Sequence, residues 1–223
     1  MILSKQQQRI KIMIQAVVKG DLNSLLICGK GGTGKTYTLF ETLKELKFEN
    51  GKDFIYANNY ITPIQLYLLL EKVNHLPKNK LLILDDVEFF LNDKKIISIL
   101  KSALWEQGKN GKRQIDYISS TYRISKTQID DFTGKIIILI NEFKETTLLK
   151  SLADRGLFYE FSPTDQEIKQ AIRELANQPY RNINRDDRLK IVAWVVANEK
   201  NISLRSLIKR YNLFLANSNL WRI

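Results

Sequence analysis

The sequence predicts an α/β fold: a three-layer αβα sandwich around a mostly parallel five-stranded sheet, followed by a small helical domain. Three observations predict it. Short apolar runs alternate with helix-length amphipathic stretches as far as about residue 162, the order that builds a parallel sheet covered on both faces. Beyond "FSPTD" at 161–165 only helical periodicity remains. The first apolar run leads directly into a glycine-rich loop, "GKGGTGKT" at 29–36. The core is expected over 1–162, with 1–20 as an N-terminal helix, and the helical domain over 163–223.

In the first 20 residues Ile10, Met13, Ile14 and Val17 share one helix face, and the stretch lacks the long apolar centre of a signal peptide. Strands are expected at 24–28, 54–57, 81–84, 136–140 and 157–161. Each is an apolar run of strand length bounded by polar or glycine residues. Helices are expected at 35–46, 63–72, 93–105 and 145–153, with Pro63 at a helix start. In the helical domain three faces recur: Ile168, Ala171, Ile172 and Leu175; Leu189, Val192, Ala193 and Val196; Leu204, Leu207, Tyr211 and Leu215.

Composition narrows the function classes. Of 223 residues, 44% are hydrophobic and 26% charged, a balance that permits a sizeable core. The lone Cys28 excludes an intramolecular disulfide and a cysteine-cluster metal site, and it reads as a buried strand residue. No run reaches the roughly 18 apolar residues of a membrane span. The expectation is a cytoplasmic protein with no membrane partner. The net charge of +11, from 35 Lys and Arg against 24 Asp and Glu, is an argument about partners, nucleic acid first among them, with a solvated lysine-rich surface as the alternative.

The loop fits G-x-x-x-x-G-K-[ST], which is the P-loop NTPase signature, with Gly29, Gly34, Lys35 and Thr36 at its fixed positions. Gly31, Gly32 and Gly34 allow backbone angles that a Cβ resists. The backbone of Gly29, Lys30, Gly31, Gly32, Thr33 and Gly34 can then turn its N–H groups inward as an anion nest at a helix N-terminus. Lys35 is expected at the β- and γ-phosphates of ATP, and the Thr36 hydroxyl on Mg²⁺.

A second signal lies in "LLILDDVEFF" at 81–90, an apolar strand ending in two carboxylates. Phosphoryl transfer requires a metal-holding carboxylate and a group that orients water. Asp85 suits the first role and Asp86 the second. "KIIILINE" at 135–142 ends a further strand in Asn141, an amide suited to orienting the attacking water. Then "LADRG" places Arg155 between a helix and a strand.

This order resembles the AAA+ ATPase superfamily: Walker A, Walker B, sensor 1, arginine finger and a helical lid carrying sensor 2. The resemblance covers nearly the whole chain. It implies ATP hydrolysis with ATP and Mg²⁺ as cofactors, and a ring homo-oligomer, a hexamer, as the working form. By position Asn141 matches sensor 1. Arg155 matches the finger that reaches a neighbour's ATP, and Arg205 in "NISLRSLIKR" at 201–210 the sensor 2 arginine. Asp86 departs from the family's usual glutamate and is one methylene shorter, which leaves open slow hydrolysis or help from Glu88. Two acidic residues followed by an aromatic pair also resemble the replication-initiator and helicase-loader branch. The chain resembles small phage-encoded AAA+ ATPases as well.

In the family's rings, loops facing a central pore grip the polymer. Two segments fit that role. "YANNYITP" at 56–63 carries Tyr60 on a polar turn. "GKNGKRQIDYISSTYRISK" at 108–126 is long for a connection and interleaves Lys112, Arg113, Arg123 and Lys126 with Tyr117 and Tyr122. Basic residues among aromatics suit backbone tracking and base stacking. The segment reads either as a DNA-binding hairpin or as a solvated loop. Three functions stay open: an oligomeric ATPase acting on DNA in replication, recombination or helicase loading; a protein-remodelling or adaptor ATPase with a partner protein; and a nucleotide-gated binding module with little hydrolysis.

Overall fold

The computed structural model describes residues 5–58, 60–87, 93–105, 113–118, 128–142 and 147–222. The chain divides into two compact units, one of Ile10–Gly29 and Thr36–Glu160, the other of Met1–Arg9, Lys30–Lys35 and Phe161–Ile223.

The larger unit holds an all-parallel sheet of five strands. They are β1 (Ser24–Cys28), β2 (Phe54–Asn58), β3 (Leu81–Asp85), β6 (Lys135–Ile140) and β7 (Leu157–Glu160), in the order β2-β3-β6-β1-β7. β1 and β3 are buried at every position, as expected of strands covered on both faces, and this is why they read as unbroken apolar runs. α1 (Lys5–Lys19) contributes Ile10, Ile14 and Val17 to the core, and α2 (Lys35–Glu45) contributes Leu39 and Leu43. α3 (Pro63–Asn74) starts with Pro63 at its first position behind a Thr62–Gln65 capping box. α4 (Lys94–Leu104) is capped by Asp93, which accepts from the Lys95 N–H at 2.7 Å, and it buries an isoleucine-rich face. α5 (Thr147–Ala153) leads towards β7. No described helix is long and apolar enough to cross a membrane.

Between α4 and β6 the chain forms an antiparallel pair, β4 (Arg113–Asp116) with β5 (Gln128–Phe132). A hairpin is therefore present, and its return strand lies beyond residue 126. Arg113 corrects the sequence reading. It is 1% exposed and cannot belong to a DNA-binding surface. Its guanidinium donates to the Ala103 carbonyl at 2.5 Å and to the Gly134 carbonyl, and it lies over the Phe132 ring at 4.9 Å. The Ala103 carbonyl is one that a helix end leaves without an intrahelical partner, so Arg113 caps the C-terminus of α4 with a positive charge. Tyr117 likewise faces inward, stacked on Tyr67 at 5.5 Å. Lys112, Tyr122, Arg123 and Lys126 lie outside the described residues.

The smaller unit contains α6 (Asp165–Leu175), α7 (Arg185–Asn198), α8 (Leu204–Ala216) and a 3₁₀ turn, Leu220–Arg222. Thr164 with Glu167 and Ser203 with Ser206 close capping boxes on α6 and α8. The inner face of α7 is Arg188, Ile191, Val192 and Val195, whereas the expected Leu189 is 41% exposed and Ala193 is also exposed. The face is turned because Arg188 occupies a core position. Its guanidinium donates to the Ala176 and Ile183 carbonyls at 3.0 and 2.5 Å, satisfying carbonyls that burial would otherwise leave unpaired. On α8, Leu204, Leu207 and Tyr211 are buried as expected, and Leu215 is not.

Candidate nucleotide-binding site

Parallel strands deliver their C-terminal ends to one edge of the sheet, where α/β folds bind ligands. Here β1 ends at Cys28, level with Ile140 of β6, while Leu139 is level with Asp85 of β3. The Gly29 N–H donates to the Ile140 carbonyl at 3.1 Å, anchoring the start of the phosphate loop. One residue past β6, Asn141 donates from Nδ2 to Asp86 Oδ1 at 2.8 Å. Asp86 has φ of 52°, the left-handed region that few residues other than glycine adopt, with aspartate among the more tolerant.

Asp85 is 4% exposed and receives three donors. Its Oδ2 accepts from the Thr36 hydroxyl at 2.9 Å and the Tyr56 hydroxyl at 3.0 Å; its Oδ1 accepts from the Asp86 N–H at 3.0 Å. Burial pushes the Asp85 carboxyl above the usual carboxylate range; the Thr36 and Tyr56 donors oppose that shift, and the Asp86 charge adds to it. Such a group gains from a bound cation. The donors are hard oxygens, one carboxylate and one hydroxyl, which suits Mg²⁺, an ion commonly held by one or two carboxylates plus substrate phosphates. Among the described residues no group of three or more His, Cys, Asp or Glu forms a metal cage; Mg²⁺ held by one or two carboxylates takes waters and substrate phosphates as its further ligands.

Residues Lys30–Lys35 belong to the smaller unit and pack against α8. Gly32 and Gly34 take φ of 77° and 106°; the left-handed angles fall on these two and not on Gly31. The Thr33 hydroxyl donates to the Lys30 carbonyl at 2.7 Å, and Lys35 Nζ, 5% exposed with its residue, donates to the same carbonyl at 3.1 Å. The Leu204 N–H donates to the Gly32 carbonyl at 2.9 Å. A Cβ built on Gly32 would lie 3.1 Å from Ser203 Cβ and 3.4 Å from Arg205 Cγ. Arg205 therefore stands beside the phosphate loop.

Arg155 is elsewhere. It precedes β7 by two residues and donates to the Ser151 carbonyl at 2.5 Å, with its guanidinium 5.3 Å from the Trp105 ring centroid. The strand registers separate it from Asp85 by roughly 13 Å along the strands and roughly 14 Å across them. Tyr60 is 75% exposed. Glu88 lies outside the described residues. Tyr56 is the residue that the sequence reading missed. Its position follows from the pairing of β2 with β3, which no spacing along the chain encodes.

A phosphate loop after β1, paired carboxylates after β3, an amide after β6 and a helical unit after the last strand are the arrangement of the AAA+ P-loop ATPases, and the chain has their fold. No protein-family model matches it. It is similar to domain III of the Thermotoga maritima replication initiation protein DnaA, at a TM-score of 0.58 and 15% identity over 97% of this chain and 85% of that one. A DNA replication initiation factor matches at TM-score 0.57 with 17% identity over 96% of the chain, and a Thermotoga maritima RuvB mutant at 0.56 with 14% identity over 98%. The chain spans 62% and 65% of those two proteins, less than two thirds of either. In sequence it is 24% identical over 239 residues to an uncharacterised 36.7 kDa protein of Enterobacteria phage T4, covering 98% of this chain and 72% of that protein.

Proposed function

We propose that this chain binds ATP with Mg²⁺ and hydrolyses it as a subunit of a ring homo-oligomer, a hexamer, acting on DNA in replication, recombination or helicase loading. The observation that carries the reading is the meeting of Thr36 with Asp85, and of Asn141 with Asp86, at the strand ends from which the phosphate loop departs. In this reading the backbone of residues 29–34 cradles the phosphates, with the Lys35 charge beside them. Thr36 and Asp85 hold the metal, which when bound neutralises charge developing on the transferred phosphoryl group. Asp86 accepts a proton from the attacking water, and the Asn141 amide fixes the direction of that carboxylate. Arg205 bears on the terminal phosphate from the lid. Arg155, too far from its own Asp85, serves a neighbour's nucleotide.

DNA as the polymer is supported by the +11 net charge and by two similar structures that are replication initiation proteins by name. Tyr60, exposed beside Leu68 of α3 (43% exposed), favours a second reading in which the polymer is a polypeptide. Steady-state ATP hydrolysis measured alone, with single-stranded DNA, with duplex DNA and with an unfolded protein separates them. Stimulation by DNA is expected. Stimulation by the unfolded protein alone would replace the first reading with the second.

A further inference from the structure

We propose that Tyr56 is a positioning residue for the magnesium-side carboxylate: its hydroxyl holds Asp85 Oδ2 against Thr36 and so presets the oxygen pair that takes the metal. The assignment rests on the nucleotide reading above and deepens it. Three observations carry it. The first is register. Tyr56 on β2 is level with Ile83 on β3, and Asn58 is level with Asp85, so Tyr56 and Asp85 lie on the same face as diagonal neighbours. A diagonal pair is within reach of aromatic and other long side chains, and the Tyr56 hydroxyl arrives at 3.0 Å. The second is support. The Tyr56 ring meets the Phe40 ring edge-on, with centroids 5.1 Å apart at 62°. Phe40 lies on α2, which also carries Thr36. One aromatic pair thus ties β2 to the helix that brings the second metal-side oxygen. The third is convergence: both hydroxyls donate to the same oxygen, Oδ2, which fixes the carboxylate plane more tightly than either does alone.

Groups that orient a metal ligand typically change metal affinity by 10- to 100-fold when removed. Tyr56→Phe keeps the ring against Phe40 and deletes only the hydroxyl. The test titrates Mg²⁺ into wild-type protein and the variant in the presence of a fluorescent ADP analogue, with the analogue's affinity in EDTA and the melting temperature measured alongside. In Tyr56→Phe the Mg²⁺ half-saturation point is expected to rise at least about 10-fold, while affinity in EDTA stays within about twofold and the melting temperature is retained. In an Asp85→Asn background the same substitution should add nothing, because its effect passes through that carboxylate. If wild-type protein depends on Mg²⁺ and Tyr56→Phe follows the wild-type curve, the assignment is overturned and the nucleotide reading stands. If wild-type protein binds the analogue without regard to Mg²⁺, the reading itself fails and takes the assignment with it.

Discussion

At the scale of single residues, the same side-chain type does opposite work depending on what burial leaves around it. Arg113 sits in a basic stretch and reads as a solvated contact, yet it is inside, capping α4 and covering Phe132. Truncating it removes a charge-assisted bond from two buried carbonyls, each worth on the order of 1.5–3 kcal/mol. Arg113→Ala should therefore lower unfolding stability by about 3 kcal/mol, measured by denaturant melts, and leave the salt dependence of DNA binding unchanged. A wild-type melt with weakened DNA binding would return Arg113 to the surface. Nothing in the sequence shows that the Ala103 and Gly134 carbonyls converge on this side chain, because the two acceptors come from a helix end and a turn about thirty residues apart. Asn141 was legible for the opposite reason: a polar residue ending an apolar strand announces itself without knowledge of its partner.

At the scale of elements, the sheet strands were legible because strands covered on both faces read as near-continuous apolar runs, and "SLLIC", "LLILD" and "KIIILI" are apolar but for one end residue each. The return strand of the hairpin, "QIDDF", was not. It buries only Ile129 and Phe132 and exposes its other three residues, so no apolar run marks it. The α7 face was misread because Arg188 fills a core position that periodicity assigns to an apolar residue. The burial of Arg113 also narrows the candidates for DNA. With Arg113 set aside, Lys112, Arg123 and Lys126 are left. Each side chain that no longer neutralises a phosphate reduces the log–log salt slope by about 0.7–0.9. Neutralising all three should therefore flatten the slope of DNA affinity against salt by up to roughly 2–3. An unchanged slope would move the polymer surface to the lid, whose residues 163–223 carry 11 Lys and Arg against 6 Asp and Glu.

At the scale of the whole molecule, the placement of Arg155 at the edge of the sheet opposite the carboxylates makes a prediction about partnership. An Arg155→Ala subunit keeps its own Asp86, and an Asp86→Asn subunit keeps its own Arg155. Each alone should be inactive, with the arginine loss costing on the order of 10³-fold, and mixing the two should restore turnover. Merely additive rates on mixing would mean that the arginine acts within its own chain or not at all. Partnership matters only if the nucleotide site works, and that is decided by binding and steady-state hydrolysis of ATP by wild-type protein and by Asp86→Asn. Mg²⁺-dependent phosphate release is expected from wild-type protein, and from Asp86→Asn retained ATP binding with turnover abolished. Wild-type turnover in Asp86→Asn would contradict it.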